Sequence, residues 1–283
     1  MKLNNKIFIV TGGAGGICQE VVLKLLENGA SVVAISRSEQ KLKLLKDKIN
    51  HNKLFTFVAD VSDQAEIEKV FSQIISEHKI IDGLINMAAV NEPILPFVET
   101  ALEDWVRAIN INLLGTVYSC RQILPHLIKK GGGKIVNFSG GGATSPFPYF
   151  SAYATSKAAV IRFTETIAEE VKPYGISINA VAPGAINTAM LDNMINAGSK
   201  VLGEEQYAKV LKQKQNGGDD RLLVGELIVF LLSDDSASLT GKLISAQWDN
   251  WKEWDQVEIE RLNNCSEYTL RRIDNKYFQE IKK

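Results

Sequence analysis

Short apolar runs alternate with helical patterns from residue 6 to about residue 181, and this alternation limits the fold more than any other feature. The apolar runs are near-continuous, as in strands that a parallel sheet buries on both faces. They cover residues 6–10, 32–35, 54–59, 80–85, 134–138 and 176–181. Apolar residues at helical spacing fill the intervals, over residues 19–28, 39–49, 64–78, 103–129 and 152–172. We therefore expect an α/β fold, a doubly wound parallel sheet whose ligands bind beyond the carboxyl ends of the strands.

A glycine-rich turn joins the first strand to the first helix, because residues 11–18 read Thr-Gly-Gly-Ala-Gly-Gly-Ile-Cys. Without side chains the backbone can approach a pyrophosphate, and a helix N-terminus directs its free N–H groups and positive dipole end at it. The order of strand, glycine turn and helix favours a nucleotide site over a loop that merely turns the chain.

Tyr153 and Lys157 stand four residues apart on a predicted helix, so they share one face. A neighbouring cation favours the phenolate and lowers the pKa of a tyrosine from about 10 toward neutrality. The pair is therefore a candidate proton donor and acceptor for an alcohol or a carbonyl.

These motifs resemble those of the short-chain dehydrogenase/reductase family, and the resemblance extends over residues 6–244. Further segments that carry it are Asp60-Val61, Asn86-Met87-Ala88-Ala89, Trp105 with Asn112-Leu113-Leu114-Gly115, Asn179, and Pro183-Gly184 with Thr188. The resemblance implies a Rossmann-fold oxidoreductase that transfers a hydride between NAD(P) and a secondary alcohol or carbonyl. Two other classes stay open, namely a nucleotide-binding protein without turnover and a nucleotide-sugar epimerase or dehydratase.

The resemblance also implies the roles of individual residues. Tyr153 would exchange the proton, Lys157 would lower its pKa and hold the ribose, and Asn112 would position the lysine through water. Ser139 or the glycine backbone beside it would polarise the substrate oxygen. The cofactor would be held by Thr11, Gly12, Gly15, Gly16, Ile17, Ser36, Arg37, Ser38, Asp60, Val61, Asn86, Ala88, Tyr153, Lys157, Pro183, Gly184, Ile186 and Thr188.

The end of the second strand bears on the choice of cofactor. An NAD site usually has a carboxylate there, whereas an arginine accommodates a 2′-phosphate. Here the residues are Ser36, Arg37 and Ser38, a trio that can bind a phosphate. We therefore expect NADP(H) rather than NAD(H), although Arg37 could simply lie on a solvated loop and the glycine loop holds no second cation.

Three positions depart from the family pattern. Cys18 replaces the third glycine of the loop, and Ala89 replaces the glycine that follows the fourth strand. The substrate-binding serine falls at Gly140, while Ser139 lies one residue earlier, a slip that turns the side chain to the other face of a strand. Either Ser139 turns into the site, or the N–H groups of Gly140 and Gly141 replace the hydroxyl.

We expect one domain over residues 1–247 and a C-terminal extension over residues 248–283. Trp248, Trp251 and Trp254 recur every three residues in the extension, so they would share a face of a helix or tight turn. That face would anchor the extension on the body, or would stack on a polyhydroxylated, carbohydrate-derived ligand. Residues 185–216 are expected to form a lid over the substrate.

Composition limits the partners. The net charge of −1 gives no reason to expect nucleic acid or an anionic membrane surface, and no apolar run approaches the roughly 20 residues of a membrane span. Three widely spaced cysteines suit reduced thiols, and the three histidines form no metal-ligand spacing, so we expect a cytoplasmic protein without a metal. The apolar helices around Asn112 and Tyr153 predict a homodimer or homotetramer.

Overall fold

A single parallel sheet of seven strands organises the computed structural model, which describes residues 1–273. The strands are β1 (Ile7–Thr11), β2 (Ser31–Ser36), β3 (Leu54–Val58), β4 (Gly83–Asn86), β5 (Gly133–Phe138), β6 (Ile176–Ala182) and β7 (Leu243–Ser245). Their order is β3-β2-β1-β4-β5-β6-β7, and every neighbouring pair is parallel. Strand order reverses between β1 and β4, which is where a doubly wound sheet opens a crevice for ligands. The predicted fold class is confirmed.

Helices cover both faces of the sheet. They are α1 (Ile17–Glu27), α2 (Glu39–Ile49), α3 (Gln64–His78), α4 (Leu102–Ile109), α5 (Gly115–Lys130), α6 (Ser151–Val171), α7 (Ala189–Leu202), α8 (Glu204–Asn216), α9 (Arg221–Leu232) and α10 (Gln256–Asn263). Alternate residues of β1 enter the two cores: Phe8 and Val10 pack with α1 and α9, whereas Ile9 packs with α3 and α5. Within residues 1–273, every helix falls short of the length and apolar character needed to cross a membrane.

The helix predicted over residues 103–129 contains a widened turn. α4 and α5 are joined by a π-helical turn, Asn110–Leu114, which carries the fully buried Asn112 in its middle. Such turns insert one residue into the helical repeat and often occur at functional sites. α9 and β7 were not among the elements predicted from the pattern of apolar residues.

The described part of the extension packs on the body of the domain. The indole of Trp251 is buried with its ring centroid 5.7 Å from that of Phe230, and Ile259 and Leu262 of α10 enter the same core. Trp248 is 76% exposed, so the prediction that the tryptophans share one face is wrong. The reason is that the helical turn covers only Trp251–Glu253. Residues 274–283 of the predicted extension lie outside the described residues.

Truncating the buried tryptophan tests whether the extension belongs to the folded unit. We expect Trp251→Ala to lower the free energy of unfolding by about 3–5 kcal/mol, because the indole leaves a cavity against Phe230. Trp248→Ala is the matched control and should change stability by less than about 0.5 kcal/mol, since its side chain is exposed. Urea unfolding measures both. If Trp251→Ala and Trp248→Ala changed the free energy of unfolding equally, the extension would not be packed as described.

Candidate active site

Two contiguous cavities lie at the carboxyl ends of the strands. The first, of about 310 Å³, extends from Arg37 past Gly15 and Gly16 to Tyr153. The second, of about 670 Å³, lies between the glycine loop after β5, the helices α7 and α8, and the extension. The residues that line both are Ile17, Tyr153, Pro183, Thr188 and Met190. A ligand in one cavity therefore meets a ligand in the other beside Tyr153.

The glycine loop at the first cavity has the form that a pyrophosphate requires. Gly12 adopts φ +71°, and a Cβ there would lie 2.7 Å from the backbone of Ala88, so no side chain fits. Gly16 precedes α1 with φ 49° and provides no side-chain cap. Of the first N–H groups of this eleven-residue helix, that of Cys18 donates to the backbone oxygen of Gly15, whereas those of Ile17 and Gln19 have no acceptor among the described residues and can bind an anion. These features fit a dinucleotide at this position.

Cys18, in place of the third glycine, fits between α1 and the loop after β4. Its thiol is buried, with the sulfur 3.7 Å from that of Met87, and burial raises its pKa to about 12. A neutral thiol therefore lies in the wall of the first cavity. Packing at this position accommodates a side chain slightly larger than glycine.

The end of β2 presents two cations, of which sequence reasoning identified only one. Arg37 lines the first cavity and lies 4.0 Å from a carboxylate oxygen of Asp60. Lys41 lines the same cavity from the first turn of α2, where its backbone N–H donates to the capping hydroxyl of Ser38. Ser36 lies beside them and accepts a hydrogen bond from the backbone of Ser38. Lys41 could have been identified from the sequence, because it stands three residues after Ser38, which caps α2.

Tyr153 and Lys157 project from the first turns of α6 into buried surroundings. The Lys157 ammonium donates to the backbone oxygen of Phe138 at 2.8 Å and lies 5.9 Å from the centroid of the Tyr153 ring. Burial lowers the pKa of Lys157 to about 8 and raises the pKa of Tyr153 to about 12. The expectation that the tyrosine pKa lies near neutrality is therefore wrong for this structure, because burial destabilises the phenolate and raises the pKa.

Asn112 connects the loop after β4 to the helix that carries the tyrosine. Its amide donates to the backbone oxygen of Val90 and to the hydroxyl of Ser156, and its oxygen accepts from the backbone N–H of Val90. Within residues 1–273, it makes no direct hydrogen bond to Lys157. Its predicted contact with the lysine through water stays a prediction.

Ser139 and Gly140 face different cavities. Ser139 lines the first cavity, and its buried hydroxyl has no hydrogen-bond partner among the described residues. Gly140 lines the second cavity, where a Cβ would lie 2.1 Å from the Tyr153 hydroxyl. The one-residue slip inferred from the sequence is thus visible in the structure: Tyr153 occupies the space that a side chain at position 140 would need.

Most of the other predicted cofactor residues line the first cavity, namely Gly12, Gly15, Asp60, Val61, Ala88 and Thr188. Gly184 and Ile186 line the second cavity instead. Thr11, Asn86 and Ser38 line neither. Thr11 and Asn86 are buried in a hydrogen-bonded network within the sheet, whereas the Ser38 hydroxyl caps α2. Wall residues of the first cavity that sequence reasoning missed are Ala14, Cys18, Lys41, Ala59, Met87, Ala89, Val90, Ile111, Phe138, Ala189 and Met190.

Comparisons with known proteins agree with this arrangement. A family model described as short chain dehydrogenase matches residues 6–198. The chain is 32% identical over 247 residues to a 3-oxoacyl-[acyl-carrier-protein] reductase, FabG, of Thermotoga maritima, covering 86% of this chain and 97% of that protein.

Solved structures show the same similarity. ElxO with NADP bound is 31% identical with a TM-score of 0.75, over 86% of this chain and 97% of that one. NAD⁺-bound xylitol dehydrogenase is 26% identical with a TM-score of 0.81, over 88% of this chain and 100% of that one. Relatives of similar fold thus include complexes with either cofactor.

The buried lysine should leave a signature in the pH dependence of stability. An unfolded lysine has a pKa of about 10.4, above the value of about 8 in the native protein, so the unfolded chain binds more protons at this residue between pH 8 and 10. The native protein therefore gains stability as pH rises through that window. Lys157→Met removes the contribution, while Lys134, whose pKa is also lowered to about 8, is present in both proteins and cancels.

We expect the free energy of unfolding of the wild type, minus that of Lys157→Met, to increase by about 2 kcal/mol from pH 8 to pH 10. Urea unfolding at several pH values measures this difference. A difference that is independent of pH would contradict the lowered pKa of Lys157.

Proposed function

Because this chain belongs to the short-chain dehydrogenase family, we propose that its two cavities divide the binding tasks of an NAD(P)-dependent oxidoreductase acting on alcohols and carbonyls. The first cavity takes the dinucleotide and the second takes the alcohol or carbonyl. The observation that carries this assignment is the place of Tyr153, which lines both cavities with Lys157 one helical turn away.

In the reducing direction, the Tyr153 hydroxyl donates the proton to the carbonyl oxygen. Its pKa of about 12 keeps it protonated at neutral pH, which is the form that a donor needs. Lys157, held on the Phe138 carbonyl, supplies the positive charge nearest the tyrosine ring and so favours the phenolate that remains. The nicotinamide, when bound, supplies or accepts the hydride.

The glycine backbone after β5 polarises the substrate oxygen. Gly140 and Gly141 line the second cavity, and neither N–H donates to another group among the described residues. Ser139 faces the first cavity, so its unpartnered hydroxyl serves the cofactor side. Asn112 acts indirectly, because its bonds to Val90 and Ser156 hold α6 against the loop after β4.

The preferred cofactor is NADP(H). Support comes from the two cations at the end of β2, Arg37 and Lys41, together with the hydroxyl of Ser36. A 2′-phosphate beside them would form charge-assisted hydrogen bonds, whereas an NAD site usually has a carboxylate at this strand end.

The chain assembles as a homodimer or homotetramer with twofold symmetry. Apolar side chains on α4 and on the segment that follows it remain in contact with solvent: Val106 is exposed, and Leu113 and Val117 are half-buried. Leu124 of α5 and Phe163 and Ile167 of α6 are also half-buried, although they pack against the core between these helices and the sheet. Such a surface is covered at lower free energy by a second copy than by water.

Removal of the tyrosine hydroxyl tests the proton transfer. We expect Tyr153→Phe to lower kcat by about 10²- to 10⁴-fold while the affinity for NADPH stays nearly unchanged, because only the ionisable oxygen is lost. Turnover is followed by the absorbance of reduced nicotinamide with a panel of ketones. Full activity of this variant would contradict the mechanism.

Ser139→Ala is the matched control, since Ser139 lines the first cavity and not the second. Its kcat should fall by less than about tenfold. A loss of about 10²- to 10³-fold, as for removal of an oxyanion donor, would instead assign the polarising role to Ser139.

The cofactor preference is tested at the end of β2. We expect Arg37→Ala to weaken NADPH binding by about 1.5–3 kcal/mol, because the variant loses the hydrogen bonds to the 2′-phosphate. NADH binding should be almost unchanged, because NADH carries no 2′-phosphate. Lys43→Ala removes an exposed cation from α2, outside the cavity, and is the control. Calorimetry gives the six affinities of the wild type and the two variants, and equal losses for the two cofactors in Arg37→Ala would show that Arg37 has a structural role.

Light scattering tests the assembly at micromolar protein concentration. We expect the mass of two or four chains. Replacing Val117, near the middle of the apolar surface, by Asp should shift the distribution toward monomer, because a buried charge without a partner opposes association. A monomeric wild-type protein would refute the proposal.

A further inference from the structure

The extension forms part of the second cavity. Trp248, Asp249, Tyr268 and Thr269 all line it, opposite a lid built from α7 and α8. The cavity therefore has one wall that comes from residues outside the segment matched by the family model, residues 6–198.

Hydrogen bonds fix this wall to the last strand of the sheet. A carboxylate oxygen of Asp249, Oδ2, accepts from the backbone N–H of Ser245 at 2.6 Å, and the backbone of Trp248 donates to the hydroxyl of the same serine. Further along, the backbone oxygen of Tyr268 accepts from Leu243 at 2.7 Å. Both ends of the wall are thus attached to β7.

The same wall is attached to the helix that carries Tyr153. The backbone N–H of Leu270 donates to Glu165 of α6, and the guanidinium of Arg162 donates to the Leu270 oxygen, both at 2.5 Å. The Leu270 side chain packs with Ala143 of the glycine loop and Ile161 of α6. The distance between Tyr153 and the wall is therefore set by packing within one chain.

Most of the cavity surface is apolar. The rings of Phe147 and Phe150 stack with centroids 4.2 Å apart, and further apolar side chains include Ile186, Met190, Leu191, Met194, Val210 and Leu243. Polar side chains such as Asn91, Thr144 and Gln213 line only part of the cavity, so a ligand with a hydroxyl on every carbon would leave some hydroxyls without partners. The carbohydrate-derived substrate suggested by the tryptophans is therefore not favoured by this cavity.

Asp249 is the acidic side chain of this cavity within the described residues, and it is half-buried. Its second oxygen, Oδ1, accepts no hydrogen bond from residues 1–273, and the carboxylate forms no ion pair there. Lys209, the cation on the lid side, is already paired with Glu205 at 2.7 Å. A half-buried carboxylate with one oxygen free of protein partners, at the wall of a mainly apolar cavity, favours a ligand with a hydrogen-bond donor.

We propose that Asp249 is a specificity-determining residue that accepts a hydrogen bond from a hydroxyl or amine at the far end of an otherwise apolar ketone or secondary alcohol. This inference rests on the proposed function, because it assigns a ligand class to the same site. The extension is then the segment that selects among carbonyl compounds, while α6 and the glycine loop carry out the reaction.

Two ketones of the same skeleton test the proposal. 4-(4-Hydroxyphenyl)butan-2-one carries a donor at its far end, and 4-(4-methoxyphenyl)butan-2-one carries none. The wild type should prefer the hydroxyl compound by about tenfold or more in kcat/KM, the size expected for one hydrogen bond to a charged group. In Asp249→Asn, which keeps an oxygen for Ser245, this preference should disappear through KM, with kcat nearly unchanged.

Glu253→Gln is the matched control, because it removes an exposed carboxylate of the same extension outside the cavity. It should retain the wild-type preference, and unfolding midpoints should show that all three proteins fold. A preference that is the same in the wild type and Asp249→Asn would overturn the proposal.

Affinities of the two ketones for the NADP⁺-bound proteins, measured by calorimetry, separate this inference from the proposed function. A donor preference in binding that depends on Asp249, without reduction of either ketone, would support the inference and contradict the proposed function. Reduction of both ketones without a donor preference would support the proposed function and contradict the inference. Failure of both ketones to bind, or equal binding by all proteins, would overturn the inference.

Discussion

A chain of buried hydrogen bonds across the sheet sets the position of everything at the site. Thr11 donates to Asn86, Asn86 donates to Asn137, and Asn137 donates to Thr164 of α6, so that β1, β4, β5 and the helix are joined in one line. All four side chains are almost fully buried. Because an unpaired polar group costs about 1–3 kcal/mol in such surroundings, a slip of any strand would be unfavourable. The network therefore holds the glycine loop, the loop after β4 and the tyrosine helix in register.

That register explains how a glycine can stand where the family has a serine. The backbone at Gly140 comes so close to Tyr153 that a Cβ would lie 2.1 Å from the hydroxyl. Tyr153 is thereby buried, which raises its pKa and keeps it protonated. Ser139, one residue earlier, lines the first cavity instead. The glycine at position 140 and the buried tyrosine are thus two parts of one packing arrangement.

The extension adds a second constraint, on the shape of the second cavity. It leaves β7, contributes Trp251 and α10 to the core, and returns along the edge strand, where the Lys242 ammonium donates to the backbone oxygens of Cys265 and Glu267. Through Leu270 it then reaches α6 and the glycine loop. A wall supported at so many points can select ligands by shape and by the one carboxylate it presents, because it loses little entropy on binding.

The sequence by itself predicted six of the seven strands, the helices between them, the glycine-rich turn and the spacing of Tyr153 and Lys157, because each depends on local periodicity or on residues a few positions apart. Its strand boundaries were correct within a few residues. Only the tertiary structure decided which cavity Ser139 faces, that Lys41 joins Arg37, that the tyrosine pKa is raised, and that the three tryptophans separate. These properties depend on burial and on contacts between distant segments. No periodicity along the chain encodes how much water a side chain loses when such segments pack together.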